Sequence, residues 1–227
     1  MKFFKNIHWG DSMSLICFEG ASAVGKTTTS NELAKRTNTY VIPEVNLLFE
    51  RPKSESKTWY LERQVDRWLI AQEKLKTYET VLLDGDIFQP LSYNWCFDFK
   101  LFDLDLSFIA EFYRNEIKEK NIGFPDKYFY LYTDKNNLIH RKENDVTRKR
   151  GNFEQNLEIV EPHKQYYNAL NSFIPDYVHL IEAKSVEEII IQIIDHIPRS
   201  PVTINSLHLF DEIENWLTNN KVLLQHK

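Results

Sequence analysis

The stretch SLICFEGASAVGKTTTSNELAKR, residues 14–36, joins a short apolar run to a turn of small residues and then to a helix-like segment. Gly20 and Gly25 are separated by four residues and followed by Lys26 and Thr27, which completes the pattern G-x-x-x-x-G-K-[ST]. Each position has a physical task. Gly20 ends a strand where the chain must turn sharply, and Gly25 lets the backbone approach a phosphate closely. The amides of Ala21, Ser22, Ala23, Val24, Gly25, Lys26 and Thr27 are expected to turn inward at the positive end of the following helix. Lys26 would bring a charge to the β- and γ-phosphates, and the Thr27 hydroxyl would reach a magnesium ion, with Thr28 next to it. A strand before the pattern and a helix after it make this a phosphate cradle, which establishes a nucleotide but not what is done with it.

Working outward, apolar runs alternate with longer helical patterns, as a parallel sheet with crossover helices demands. The candidate strands are residues 14–19, 39–43, 80–84, 127–132 and 177–182, near-continuous apolar runs suited to strands covered on both faces. Helices are expected over 57–76, 103–120 and 153–173. In SVEEIIIQIIDHI the residues Val186, Ile189, Ile190, Ile193, Ile194 and Ile197 fall at helical spacing behind Ser185 as N-cap. PRSP at 198–201 breaks the pattern, and an amphipathic piece at 206–218 follows as an appended helix.

With 227 residues, 42% hydrophobic and 14% aromatic, the chain is long and apolar enough for one sizeable globular domain. A net charge of −5 spread along the sequence argues against nucleic acid as the partner. Cys17 and Cys96 lie in apolar stretches and read as reduced core thiols. Residues 1–12 hold no apolar run of signal-peptide length, and no window approaches the ~18 apolar residues of a membrane span. A soluble, cytoplasmic protein is the expectation.

Neither hydrolase class that uses such a cradle fits the remaining segments. A guanine-reading N-K-x-D is absent, YTDKNN at 132–137 having the wrong order. The glutamate of a motor-type ATPase is missing too, because Asp84 in VLLDGD is followed by Gly85. Three features suit a phosphotransferase instead. Glu44 follows the second strand at the edge that faces the ligand crevice of an open parallel sheet, where a carboxylate can take a proton from an attacking hydroxyl. Asp84 ends an apolar strand as a magnesium carboxylate would, and Asp86 in the same loop reads either as a substrate or metal contact or as a helix N-cap. HRKENDVTRKRGNFEQ, residues 140–155, concentrates Arg141, Arg148, Lys149 and Arg150, and reads as a basic flap over a polyphosphate or as a solvated charged loop.

On GASAVGKTT, PEV, LLDGDIF and YLYTDKNNLIHRKENDVTRKRG, the chain resembles the P-loop nucleoside and nucleotide kinases, especially the deoxynucleoside kinase and thymidylate kinase group, over about residues 14–197. The resemblance implies an α/β P-loop NTPase three-layer sandwich, a five-stranded parallel sheet with helices on both faces, and magnesium ATP as donor. The kinase domain is expected over 1–197, with an arginine-rich lid at about 141–153, and the short tail after PRSP is expected as a C-terminal helical extension over 198–227 packed on the same domain. By position Glu44 resembles the base that activates the acceptor hydroxyl, and Arg141, Arg148 and Arg150 resemble lid arginines. Gln64, with Arg63 and Arg67 nearby, resembles the acceptor reader on its helix, and Lys184 resembles a residue beside adenine. A homodimer across helices 57–76 and 103–120 is typical of that group. Gly85 departs from the pattern, since the group carries an arginine there, and this leaves the acceptor open.

The expected function is therefore transfer of the γ-phosphoryl group of ATP to a small acceptor, most simply a nucleoside or nucleotide, with Lys26, Glu44, Arg141, Arg148 and Arg150 as catalytic residues. An antibiotic or other metabolite hydroxyl is the alternative acceptor on the same scaffold. An ATP-binding regulatory protein, using Leu207, Leu209, Phe210, Ile213 and Trp216 as a contact surface, is the alternative of another class. The aromatic-rich stretch FQPLSYNWCFDFKLFDLDLSF reads mostly as core, with a flat-ring pocket as the other possibility.

Overall fold

A computed structural model describes residues 13–100, 104–145 and 152–222. Five strands, β1 (Ser14–Gly20), β2 (Thr39–Ile42), β3 (Thr80–Asp84), β4 (Lys127–Tyr132) and β5 (Val178–Glu182), form one parallel sheet in the order β2-β3-β1-β4-β5. All four pairings are parallel, with Phe18 opposite Asp84 on one side of β1 and Glu19 opposite Tyr130 on the other. The central position of β1 puts the cradle at the middle of the sheet's carboxyl edge, where ligands of open parallel sheets bind.

Ten helices surround the sheet among the described residues: α1 (Lys26–Arg36), α2 (Val45–Leu48), α3 (Trp59–Lys74), α4 (Gln89–Cys96), α5 (Leu106–Lys118), α6 (Lys135–Glu143), α7 (Phe153–Glu158), α8 (Val160–Phe173), α9 (Val186–His196) and α10 (Ser206–Asn219). Alternation along the strands divides the core into two apolar layers. Leu15, Cys17, Val81, Leu83, Tyr128 and Tyr130 face the layer closed by α3, α4, α5, α8 and α10. Ile16, Phe18, Leu82, Phe129 and Leu131 face the smaller layer closed by α1 and α9. Cys17 and Cys96 are buried free thiols in the first layer.

The strands keep to the sequence expectation within a residue or so, and Ser185 caps α9 by accepting from the Glu188 amide. Two differences have physical causes. The segment expected as one helix over 153–173 is two, divided at Ile159. Pro162 carries no amide to continue a helix arriving from 158, yet it is tolerated in the first turn of a new one. The aromatic-rich stretch also contains an unexpected helix, α4, with a proline in its first turn.

α10 covers part of the larger layer. Leu209, Phe210, Ile213 and Leu217 are buried against α5 and α8, and Arg114 of α5 forms ion pairs with Asp211 and Glu214. The Trp95 indole N–H donates to the Asn220 carbonyl at 2.6 Å, and its ring lies 4.8 Å from that of Trp216. The apolar face on which a regulatory reading would rest is thus covered by the domain itself. Among the described residues, no helix is long and apolar enough to cross a membrane.

Phe210 sits against Phe88 at the centre of this layer. Phe210→Ala should lower stability by about 3–5 kcal/mol, measured by urea unfolding of the full chain.

Candidate active site

The turn after β1 is held by sterics from below. Gly20 has φ 140°, and a Cβ there would stand 2.1 Å from the Leu131 carbonyl oxygen of β4, so no side chain fits. Ala23 and Gly25 also take left-handed conformations, at φ 67° and 111°, and Gly25 is the N-cap of α1. Lys26 folds back along the turn, its Nζ donating to the Gly20 carbonyl at 2.7 Å and lying 3.9 Å from Glu19 Oε1. Glu19, buried just before the turn, accepts from the Gly20 amide at 2.9 Å and from the Asp86 amide at 2.8 Å. One carboxylate thereby joins the cradle to the loop after β3. The sequence pattern itself is silent on Glu19, which lies one residue outside it.

At the base of the cradle the Thr27 hydroxyl donates to Asp84 Oδ2 at 2.7 Å. The other oxygen, Oδ1, is buried without a partner among the described residues. Burial raises the Asp84 carboxyl from its ordinary value, and Lys26 and the Thr27 hydrogen bond oppose that rise. No three histidines, cysteines or carboxylates converge into a cage among the described residues. One hydroxyl and one carboxylate with a spare oxygen suit a magnesium ion that draws its other ligands from phosphate and water.

Glu44 stands at the N-cap of α2 and lines a cavity beside this base. Gly85 explains how it comes so near. At φ 90°, Gly85 occupies a left-handed conformation, and a Cβ there would lie 3.4 Å from Glu44 Cγ. An arginine at position 85 would occupy the space beside Glu44. Arg67 serves this loop from below instead, donating to the carbonyls of Asp84 and Gly85 at 2.9 Å each and to Gln64 Oε1 at 2.7 Å.

Four expected acceptor contacts are therefore corrected. Gln64 and Arg67 are each 1% exposed and bonded to one another beneath the loop, because this turn of α3 lies over β3. Arg63 lies against Asp66 and the Phe49 ring, also away from the cavity wall. Asp86 neither lines the cavity nor serves as the N-cap residue of α4, which is Phe88. It is buried, accepting from Tyr128 and Tyr167 hydroxyls at 2.9 and 3.0 Å and from the Phe88 amide at 3.2 Å. Its burial, and Glu19 after that, push the Asp86 carboxyl up to about 6.

Two cavities flank the cradle. One, of about 660 Å³, runs from the cradle and Glu44 to α4 and α8. Its polar lining includes Tyr60, whose hydroxyl donates to Gln89, and Tyr93, whose hydroxyl donates to Asn156. It also includes Asn94 and His163. Tyr93 and Asn94 belong to the aromatic-rich stretch whose second reading is a flat-ring pocket, whereas no motif marks Tyr60 or His163. The first turn of α3, with Tyr60 and Leu61, reaches the cavity where the turn of Gln64 does not.

The other cavity, of about 880 Å³, lies on the far flank of the cradle and is lined by Thr28, Asn31, His140, Arg141 and Lys184. Lys184 is ion-paired with Glu182 at 3.2 Å. Arg141 departs from its expected role over the phosphates. Its guanidinium donates to the Val24 carbonyl at 2.6 Å and to the Ala183 carbonyl, bracing the cradle against the loop after β5. Arg148 and Arg150 lie outside the described residues.

No protein-family model and no curated protein matches the sequence. Solved structures do match. A deoxyadenosine kinase from M. mycoides with bound dATP aligns with 81% of this chain and 98% of its own, at TM-score 0.52 and 18% identity. A thymidylate kinase from Ehrlichia chaffeensis aligns with 81% and 98%, at TM-score 0.51 and 18% identity. The thymidylate kinase of Candida albicans aligns with 81% and 90%, at TM-score 0.53 and 16% identity. The five-stranded parallel sheet and its surrounding helices are thus the fold of these P-loop kinases.

Arg67→Met should remove the buried cation among Glu19, Asp84 and Asp86 and strand two carbonyl oxygens. A loss of about 3–5 kcal/mol is expected, read as a lower urea midpoint at unchanged slope.

Proposed function

We propose that the protein is a kinase that moves the γ-phosphoryl group of magnesium ATP to a hydroxyl of a small, nucleoside-like acceptor. The observation that carries this reading is that Glu44 and the phosphate cradle share one cavity, with the Thr27–Asp84 pair at its base. The cavity on the other flank, holding Lys184, would take the donor's adenosine. Both named relatives with this fold, deoxyadenosine kinase and thymidylate kinase, support the same reaction class.

In this mechanism Glu44 accepts the acceptor's hydroxyl proton as the oxygen approaches the γ-phosphorus. Lys26 exchanges its bond to the Gly20 carbonyl for the β- and γ-phosphate oxygens, and the cradle amides hold the β-phosphate. Thr27 and Asp84 would hold the magnesium ion, which neutralises charge on the phosphates. Glu19 keeps the cradle and the loop after β3 in register while the charges redistribute. Arg141 steadies Val24 from the donor side.

A hydroxyl acceptor fits better than a phosphorylated one. Arg51 at the cavity rim is ion-paired with Glu55 and lies over the Trp59 ring, and Lys57 lies over the Phe108 ring. Glu44 adds negative charge beside the cradle, which repels an acceptor phosphate.

ADP release with magnesium ATP, screened against nucleosides, nucleoside monophosphates and aminoglycoside- or phenicol-type alcohols, tests the reading. Release stimulated by a nucleoside is expected; ATP turnover indifferent to every acceptor would sink it. Glu44→Gln should cut turnover by about 10²–10⁴-fold and leave the ATP-induced rise in Tm intact. Asp84→Ala should erase the part of that rise that depends on magnesium, compared with and without EDTA.

A further inference from the structure

α10 has two faces that meet different surroundings. Leu209, Phe210, Ile213 and Leu217 recur at helical spacing and are each 3% exposed or less, packed on α5 and α8. The opposite stripe, His208, Asp211, Asn215 and Thr218, is exposed and polar. A helix of this kind ends the apolar layer it covers and presents no apolar surface to a neighbour. Without it the rings of Phe88, Trp95 and Tyr166 would lose their contacts with Phe210 and Trp216. An apolar flank left open on a layer of helices is what a chain buries against a second copy of itself.

The seating of α10 is fixed at several points. Arg114 of α5 pairs with Asp211 and Glu214 and lies over the Phe210 ring, 5.3 Å from its centroid. The Trp95 indole N–H donates to the Asn220 carbonyl at the far end of the helix. The segment leading into α10 is pinned as well. The Ser14 hydroxyl at the start of β1 donates to the Pro198 carbonyl. Asp126, just before β4, accepts from the Leu15 amide at 2.7 Å and from the Val202 amide at 2.8 Å, so one carboxylate ties the first strand to the approach of the last described helix. A short connection held at two points keeps α10 on its own chain, because exchange with another copy would break both ties.

The expected homodimer across 57–76 and 103–120 would need the outer flanks of α3 and α5, and α10 already lies along α5. What α5 still turns outward is Ser107, Glu111, Asn115 and Lys118, a polar stripe. On α3 the exposed Leu69 stands between Asp66 and Glu73 on the adjoining turns. Among the described residues no other large apolar side chain of these two helices is exposed. A stable interface buries roughly 800 Å² per partner around an apolar centre.

We propose that α10 takes, within one chain, the place of a partner subunit, and that the protein works as a monomer whose α4 wall is backed by its own helix. The proposal does not depend on the reaction assigned to the cavity.

Sedimentation equilibrium of the full chain, over about a hundredfold range of concentration, should return one species of 27.1 kDa, with a Tm that does not move across that range. A dimer, including one that exchanges α10, or a Tm that climbs with concentration overturns the proposal. Ile213→Glu puts a carboxylate into the buried stripe. Hydrogen exchange at the α10 amides should become about 100-fold faster, and the variant should associate as its concentration rises. Arg114→Glu, which sets a like charge against Asp211 and Glu214, should act in the same direction with about 10-fold faster exchange. Adding Asp211→Arg and Glu214→Arg to it should restore slow exchange and the single-chain mass. If Ile213→Glu does not fold, the Arg114 series decides. Exchange at α10 that stays slow in the variants, or a released α10 in a chain that remains single at every concentration, overturns the proposal.

Discussion

Three carboxylates, Glu19, Asp84 and Asp86, are buried at the carboxyl ends of two adjacent strands, and the site depends on how they are matched. Charges taken out of water must find partners or give up their ionisation. Glu19 is matched by two backbone amides and by the neighbouring Lys26. Asp84 is half matched by Thr27, and Asp86 is matched by two tyrosine hydroxyls and an amide. Arg67, inserted from α3, binds the backbone that carries Asp84 and Gly85. Among the described residues the arrangement leaves one of these carboxylate oxygens, on Asp84, unsatisfied beneath the turn after β1.

The same network accounts for Gly85. At φ 90° a side chain at position 85 would be strained, and it would stand in contact with Glu44 above a loop whose carbonyls face a buried guanidinium. The cation is brought in on a helix and serves the backbone. Position 85 therefore brings no cation to the space beside Glu44, which is part of the basis for favouring a neutral acceptor.

Much of this was legible in the sequence where chemistry is local. The spacing from Gly20 to Thr27 carries the cradle, the strand runs carry the sheet, and Glu44 and Asp84 stand where a strand end delivers them. What the sequence concealed depends on tertiary packing. Gln64 and Arg67 lie on the helix expected to read the acceptor, but only the crossing of α3 over β3 shows that this turn points into the protein. Asp86 lies in the expected loop, but the tyrosines that enclose it come from residues 128 and 167. Asn94 lies in the aromatic stretch that also read as a flat-ring pocket, but the helix that carries it was not expected, and His163 belongs to no motif on a helix that Pro162 starts separately.

α10, described as a cover for the larger core layer, has a consequence for the timing of assembly. Of the elements described, it is the last to leave the ribosome, yet Trp95, next to Asn94 on α4, is held by Trp216 and by the Asn220 carbonyl. The cradle and the first three strands are synthesised within the first 84 residues. The wall opposite them has an unfinished apolar back until more than a hundred further residues have been made. A nascent chain thus holds the turn after β1 and three strands long before the wall formed by α4 is backed, and an exposed aromatic layer during that interval is a surface for chaperones or for self-association.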